Sequence, residues 1–275
     1  MSLVESIFLH DNSLSSLLPK DICRHNLGRV KVVYLYWNKL YGDIPLSFEH
    51  CPQLQSVALS YNYFGGQVPR EIGNITLLKE LYLGHNNFSG DIPNEIGYLH
   101  NLEILSIGSN KFSGPLPTQI WNMTTLRELY IYDISLSGNI PKEIGCLNKL
   151  ETLSMNSNKL SGPLPIQIWN ITTLRVLDLH NISLTGVIPK EIHDLENLQR
   201  LDMSINEVSS PLPPTIFNMS SLEIILLSSN KLSEALPKEI GNMKALQELF
   251  LDNNALNVGP PFKWRPEISG NGLVG

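Results

Sequence analysis

"LLKELYLGHNNFSGDIPNEIGYLH", Leu77–His100, holds one complete structural phrase. From Leu78 it opens as L-x-x-L-x-L-x-x-N. Leu81 and Leu83 are two residues apart, so in an extended strand they point to one side while Tyr82 faces the other. Asn86 ends the strand, where an inward-turned amide can serve backbone groups of a bend that has neither helix nor sheet partner. Pro93 fixes its own backbone angle and turns the chain after Ile92, and "EIGYLHNL" returns further apolar residues to the interior.

The phrase recurs along the chain. Its asparagine position falls at 38, 62, 86, 110, 134, 158, 182, 206, 230 and 254, every 24 residues, and an eleventh copy ends at Asn12, two residues out of step because of an insertion in "LPKDICRHNLGRV". A single coil cannot bury its own leucines. Each inward Leu or Ile contributes about 1.5 to 3 kcal/mol on full burial, which offsets the ordering entropy of a coil only when both neighbours are present. The predicted fold is therefore an α/β-type repeat solenoid, a right-handed superhelix with a parallel β-sheet on its concave face. It comprises about eleven coils, over residues 1–261 as one uncapped domain, with 262–275 as an irregular tail.

Two departures from strict repetition stand out. The asparagine is replaced by Ile134 and Ile182, which cannot donate, so each is expected to leave one or two backbone groups unserved at about 1 to 3 kcal/mol. These isoleucines lie in "WNMTTLRELYIYDISLSG", Trp121–Gly138, and "WNITTLRVLDLHNISLTG", Trp169–Gly186, which echo each other at an offset of 48. Trp121, Trp169 and Phe217 occupy the slot that holds Gly73, Gly97, Gly145 and Gly241 in other coils. A duplicated two-coil block accounts for this longer period.

Composition narrows the function classes. With 26 Asp and Glu against 20 Lys and Arg, and the cations scattered singly, nucleic acid is not indicated. The opening "MSLVESIFLHDN" lacks a signal-peptide pattern, and no run of apolar residues is long enough to span a membrane. The 3 cysteines form no zinc spacing, and Cys23, Cys51 and Cys146 read more readily as free, partly buried thiols than as a bridge between Cys23 and Cys51. "GNGLVG", Gly270–Gly275, fits a phosphate-loop pattern without the strand or lysine that such chemistry needs. The 7 histidines show no catalytic or metal-ligand spacing, so no catalytic residue, cofactor or metal is assigned and the chain reads as non-enzymatic.

The stretches "NNFSGDIPNEIG", "NKLSGPLPIQI" and "ISLTGVIPKEI" resemble the plant-type leucine-rich repeat, over about residues 4 to 261. Wording such as "IGYLHNLEILSIGSN" is similar to ectodomains of the immune receptor-like kinase group. The resemblance implies a cell-surface, ligand-binding module that perceives a peptide or pathogen signal, with a co-receptor ectodomain as a further partner. Such ectodomains carry cysteine-paired caps, which this sequence lacks, so it reads as a fragment of a larger ectodomain. A secreted inhibitor of microbial cell-wall-degrading enzymes and a truncated, nonfunctional receptor remnant stay open as alternatives.

The outward strand positions are the candidate ligand contacts, because the coils present them at fixed spacing. They include Tyr34, Tyr36, Trp37, Tyr82, His85, Tyr130, Tyr132 and Asp133 in the N-terminal half, and Asp178, His180 and Asp202 toward the C-terminal half. Exposed aromatics supply much of the energy of protein interfaces. Sequons at Asn74, Asn87, Asn122, Asn170, Asn181 and Asn218 are candidate glycosylation sites, four of them spaced by 48 on the return segment.

Overall fold

In the computed structural model, which describes residues 4–19, 21–23 and 27–257, the predicted strands form one 11-stranded parallel sheet in strict chain order. Each strand is three residues long, from Ser6–Phe8 through Glu80–Tyr82 and Glu128–Tyr130 to Glu248–Phe250. The register is in phase: Leu81 lies opposite Leu105, Leu105 opposite Leu129 and Leu129 opposite Leu153. These four central leucines are fully buried at 0% exposure, whereas Ile7 and Leu249 in the outermost described coils are only partly buried. Residues 258–261 of the expected solenoid, the expected tail 262–275 and the Gly270–Gly275 motif lie outside the described residues.

A second sheet layer follows each concave strand from Val32–Tyr34 onward, where sequence reasoning had placed a turn. It runs as a 6-stranded group from Tyr41–Gly42 to Lys159–Leu160 and a 5-stranded group from Gly162–Pro163 to Ala255–Asn257. Alternation of side chains drives it inward: Phe64, Phe88 and Phe112 are buried and stack with ring centroids 6.3 and 6.2 Å apart. The strand leaves the sheet through a left-handed residue, glycine from Gly42 to Gly186 with φ between 69° and 98°. Ser210 (φ 80°) and Glu234 (φ 65°) take that place in later coils, against the steric preference of L-residues.

The return segments are 3-10 helices of five residues, nine among the described residues, each beginning directly after a proline, as Asn94–Tyr98 follows Pro93. Proline suits that position because a helix start does not need its amide. Where Gly73, Gly97 and Gly145 occupy the shared slot, the next coil closes in tightly. A Cβ on Gly97 would meet the Gln119 Cβ at 2.4 Å and its carbonyl carbon at 2.8 Å. Trp121, Trp169 and Phe217 fill the same slot and are at most 2% exposed. The two-coil echo in the sequence is thus an alternation of tight and wedged steps along the return side.

The asparagine ladder forms as expected, with a redundancy that lowers the anticipated cost of its gaps. Asn62 Nδ2 donates to Leu35 O at 2.9 Å and Leu59 O at 3.1 Å, while its Oδ1 accepts from Leu40 N at 2.9 Å. Each such carbonyl can receive two asparagines, its own coil's and the next coil's; Leu59 O also accepts from Asn86. Around Ile134, Ile107 O keeps Asn110 and Ile131 O keeps Asn158. Around Ile182, Met155 O keeps Asn158 and Leu179 O keeps Asn206. What the isoleucines forgo is one side-chain acceptor each, for the amides of Phe112 and Leu160.

Cys23 and Cys51 are bonded to each other, which corrects the expectation of free thiols there. The insertion between the first two coils folds Cys23 against the end of the 3-10 helix Leu46–His50, with the two Cα atoms 5.3 Å apart. The odd thiol is the exposed Cys146.

Candidate ligand-binding face

Three rows of side chains leave the concave sheet. The first is the last residue of each strand, such as Tyr82; the second lies two residues on, such as Tyr132; the third directly precedes the ladder position. That third residue is left-handed in every coil, with φ between 51° and 57° from Asp11 to Asn253, because the chain must bend sharply for the next side chain to turn inward. Asp, Asn and His are the side chains found most readily in this geometry, whereas Trp37, Tyr61, Ile205 and the serines adopt it at a steric cost.

Stacking offsets that cost for the aromatics. Trp37 and Tyr61 lie parallel with centroids 4.3 Å apart, and Tyr61 and His85 follow at 4.1 Å. Trp37 remains 54% exposed and Tyr61 39% exposed, so the stack keeps a large solvent-facing edge. His85 Nε2 lies 3.1 Å from Tyr132 Oη, with donor and acceptor set by the tautomer. Burial lowers the His85 pKa against the opposing pull of Asp133, which favours a neutral ring. Asp133 in turn accepts from Ser109 Oγ at 3.1 Å. Tyr61 joins this stack without having been among the contacts expected from the sequence; its signal there is its place one 24-residue period after Trp37 and one before His85.

The first row is similarly knitted. Tyr34 packs edge-on against Phe8 at 5.3 Å and donates to Glu80 Oε2 at 3.2 Å, which also accepts from Ser56 Oγ at 2.6 Å. Tyr36 stacks on His10 at 4.5 Å. Tyr130 donates to Glu128 Oε2 at 2.9 Å, and burial together with that carboxylate pushes its phenol up to about 12. Burial also raises Tyr82, with Glu80 and Glu128 adding to it, and raises Tyr132. Shorter side chains at the ends of their strands are covered by neighbours: Ala58, Ser154 and Asp202 are 5%, 7% and 5% exposed.

Asp178, His180 and Asp202 converge in the C-terminal half, with potential ligand atoms within 4.8 Å of one another. His180 Nδ1 lies 2.8 Å from Asp178 Oδ1 and 3.9 Å from Asp202 Oδ2. Asn156 Nδ2 donates to Asp178 Oδ2 at 2.6 Å. Asp202 is drawn inward by Ser204, whose amide and hydroxyl donate at 3.1 and 2.7 Å, and by Arg200 at 3.2 Å; this corrects the reading of Asp202 as a solvent-facing contact. The linear spacing hid this cluster because its members come from successive coils.

Cations are spread over the other faces of the coil, and Lys31, Lys79, Arg127 and Arg175 lie just before their strands. The row before the strands alternates in sign, with Glu5–Lys31 at 2.8 Å, Lys79–Glu103 at 3.9 Å, Glu103–Arg127 at 3.9 Å, Arg127–Glu151 at 2.5 Å and Arg175–Glu151 at 3.7 Å. Exposed pairs of this kind contribute little singly. None of the 20 Lys and Arg falls in the three outward rows, although Arg200, at the start of its strand, reaches Asp202 from the same side.

The sequons divide between faces. Asn74, Asn122, Asn170 and Asn218 are exposed at the ends of alternate 3-10 helices, remote in the coil from the concave strands. Asn87 is half-buried in the second sheet layer, and Asn181 is exposed in the left-handed row beside His180.

The leucine-rich repeat region family matches residues 47–164 and 165–257. No curated protein matches the chain. Among solved structures, the plant peptide hormone receptor RGFR1 in complex with RGF2 is 33% identical, with a TM-score of 0.86, covering 91% of this chain and 40% of that one. The TDR receptor is 30% identical, with a TM-score of 0.85 and coverage of 92% and 43%. The Arabidopsis receptor kinase HAESA ectodomain, in complex with an N-terminally extended IDA peptide hormone, is 30% identical with a TM-score of 0.85, covering 92% of this chain and 46% of that one. The chain therefore spans less than half the length of these three proteins.

Proposed function

The chain belongs to the leucine-rich repeat family, and from that premise we propose that it is a peptide- or protein-binding segment of a plant cell-surface receptor ectodomain. Its proposed contacts are Tyr34, Tyr36, Trp37, Tyr82, His85, Tyr130, Tyr132 and Asp133, with Asp178 and His180 beyond them and Asp202 acting through its neighbours. The observation that carries this reading is the alignment of so many aromatics on one rigid sheet, where Tyr and Trp give contact area at low entropic cost. Similar receptors in complex with peptide hormones support it.

The setting follows from the same premise. An extracellular location agrees with the Cys23–Cys51 disulfide, a bond that persists in oxidising compartments. Glycans on Asn74, Asn122, Asn170 and Asn218 would leave the concave face free, whereas one on Asn181 would crowd His180. No helix among the described residues is long and apolar enough to cross a membrane. Perception of an immune signal, with a co-receptor ectodomain completing the complex, is the finer form of the proposal, and it rests on the likeness to immune receptor-like kinases.

The test uses a phage-displayed random peptide library selected on the whole chain. Enriched peptides should lose about 2 kcal/mol or more of affinity for the Y130A/Y132A double variant, whose circular dichroism should match the parent. Equal affinity for both proteins would remove the aromatic face as the site.

A further inference from the structure

We infer that the ligand of this face is an extended cationic peptide, with a lysine or arginine over Asp178 and an aromatic or aliphatic side chain about three to six residues away over the tyrosines. This deepens the proposed function and rests on it. Charge carries the argument. The three outward rows hold Asp11, Asp133, Asp178, Asp202 and Asp252 and no lysine or arginine, and the first strand residues, which face the same side, add Glu80, Glu128 and Glu248 against Arg200 alone, although the chain has 20 of these cations. Arg200, the one cation that reaches the cluster, is already engaged with the buried Asp202. An acidic peptide would meet an excess of carboxylates here, at a repulsive cost.

The local bonding leaves room for a further donor. A carboxylate can accept about four hydrogen bonds, and Asp178 is held from within by Asn156 and from the side by His180. Its geometry is therefore fixed before a ligand arrives. Asp252, three coils on, is exposed and accepts from Ser228 Oγ. A guanidinium or ammonium at Asp178 gains a charge-assisted bond to a preset acceptor, and long-range attraction along the acidic half guides its approach.

The spacing fixes the offset. Neighbouring strands stand about 4.8 Å apart, so Tyr130 lies two coils, about 10 Å, from Asp178, and Tyr82 lies four coils, about 19 Å, from it. An extended peptide advances about 3.3 Å per residue, which gives an interval of about three to six residues.

The same random library, selected in parallel on the whole chain and on D178N/D252N, tests this. These substitutions keep side-chain volume and leave the buried Asp202 intact. Peptides enriched on the parent should carry Lys or Arg within that interval of an apolar residue, and should bind the double variant about tenfold more weakly, the loss of roughly one charged hydrogen bond. Enriched peptides rich in aromatics but free of basic residues, or bound equally by both proteins, would overturn this inference and leave the proposed function standing. A library that enriches nothing on the parent would overturn both.

Discussion

Asn158 is the ladder residue with no understudy. It sits between the coils of Ile134 and Ile182, so Ile131 O and Met155 O each depend on it as their asparagine donor. Asn62, by contrast, shares Leu35 O with Asn38 and Leu59 O with Asn86. Removing Asn158 strands two carbonyls and one amide, whereas removing Asn62 strands one amide. We expect N158A to cost about 3 to 5 kcal/mol and N62A about 1 to 2, read as a shift in urea midpoint at constant slope; equal losses would refute the shared-donor account. A second prediction belongs to Tyr130. Its phenol is raised in the folded chain to about 12 against an ordinary value of 10, so the folded state holds its proton longer. The stabilisation is complete below pH 10 and is lost as pH rises through about 12. Tyr82 and Tyr132 are raised as well, so tyrosinate absorbance should show a late component that shrinks by one tyrosine in Y130F, and a late component of equal size in both proteins would contradict the burial argument.

The repeating element explains what the sequence reveals and what it conceals. Strand, ladder residue and proline were legible because each recurs at one period, so eleven weak signals reinforce one another. The second sheet layer was missed since its L-S-G-x-I-P residues read locally as turn formers, and only pairing with adjacent coils makes them a strand. The left-handed row was equally hidden, for no residue type marks it: Trp37, Ser109 and Ile205 all occupy it. Glycine's role on the return side, by contrast, can be tested coil by coil. At Gly97 an added Cβ collides with Gln119, backbone included, while at Gly241 it meets nothing within 4 Å. G97A should lower stability by about 1 to 3 kcal/mol through forced separation of two packed 3-10 helices, and G241A should stay within about 0.5 kcal/mol of the parent. Thermal unfolding of the pair decides the matter; similar melting temperatures would mean that the coils part without strain.

For the molecule as a whole, stability is a sum of neighbour-to-neighbour terms, and the disulfide offers a way to perturb one end of that sum. Its pairing escaped sequence reasoning because three cysteines signal no framework, and the 28-residue separation becomes a short distance only once the insertion folds back on the second coil. Closing a loop of that length is worth about 3 to 4 kcal/mol by chain entropy. If coils are coupled mainly to their neighbours, reducing the bond should loosen the first coils and leave the middle untouched. The amides of Leu9 and Leu35, bonded to Tyr34 O and Ala58 O, should then exchange about tenfold faster or more. Those of Met155 and Leu179, bonded to Asp178 O and Asp202 O, should keep their rates, and with them the tyrosine and aspartate rows of the central coils keep their spacing. Uniform acceleration across all coils would instead show that the solenoid opens as one unit, in which case a ligand bound at its centre would feel the loss of a bond near its N-terminal end.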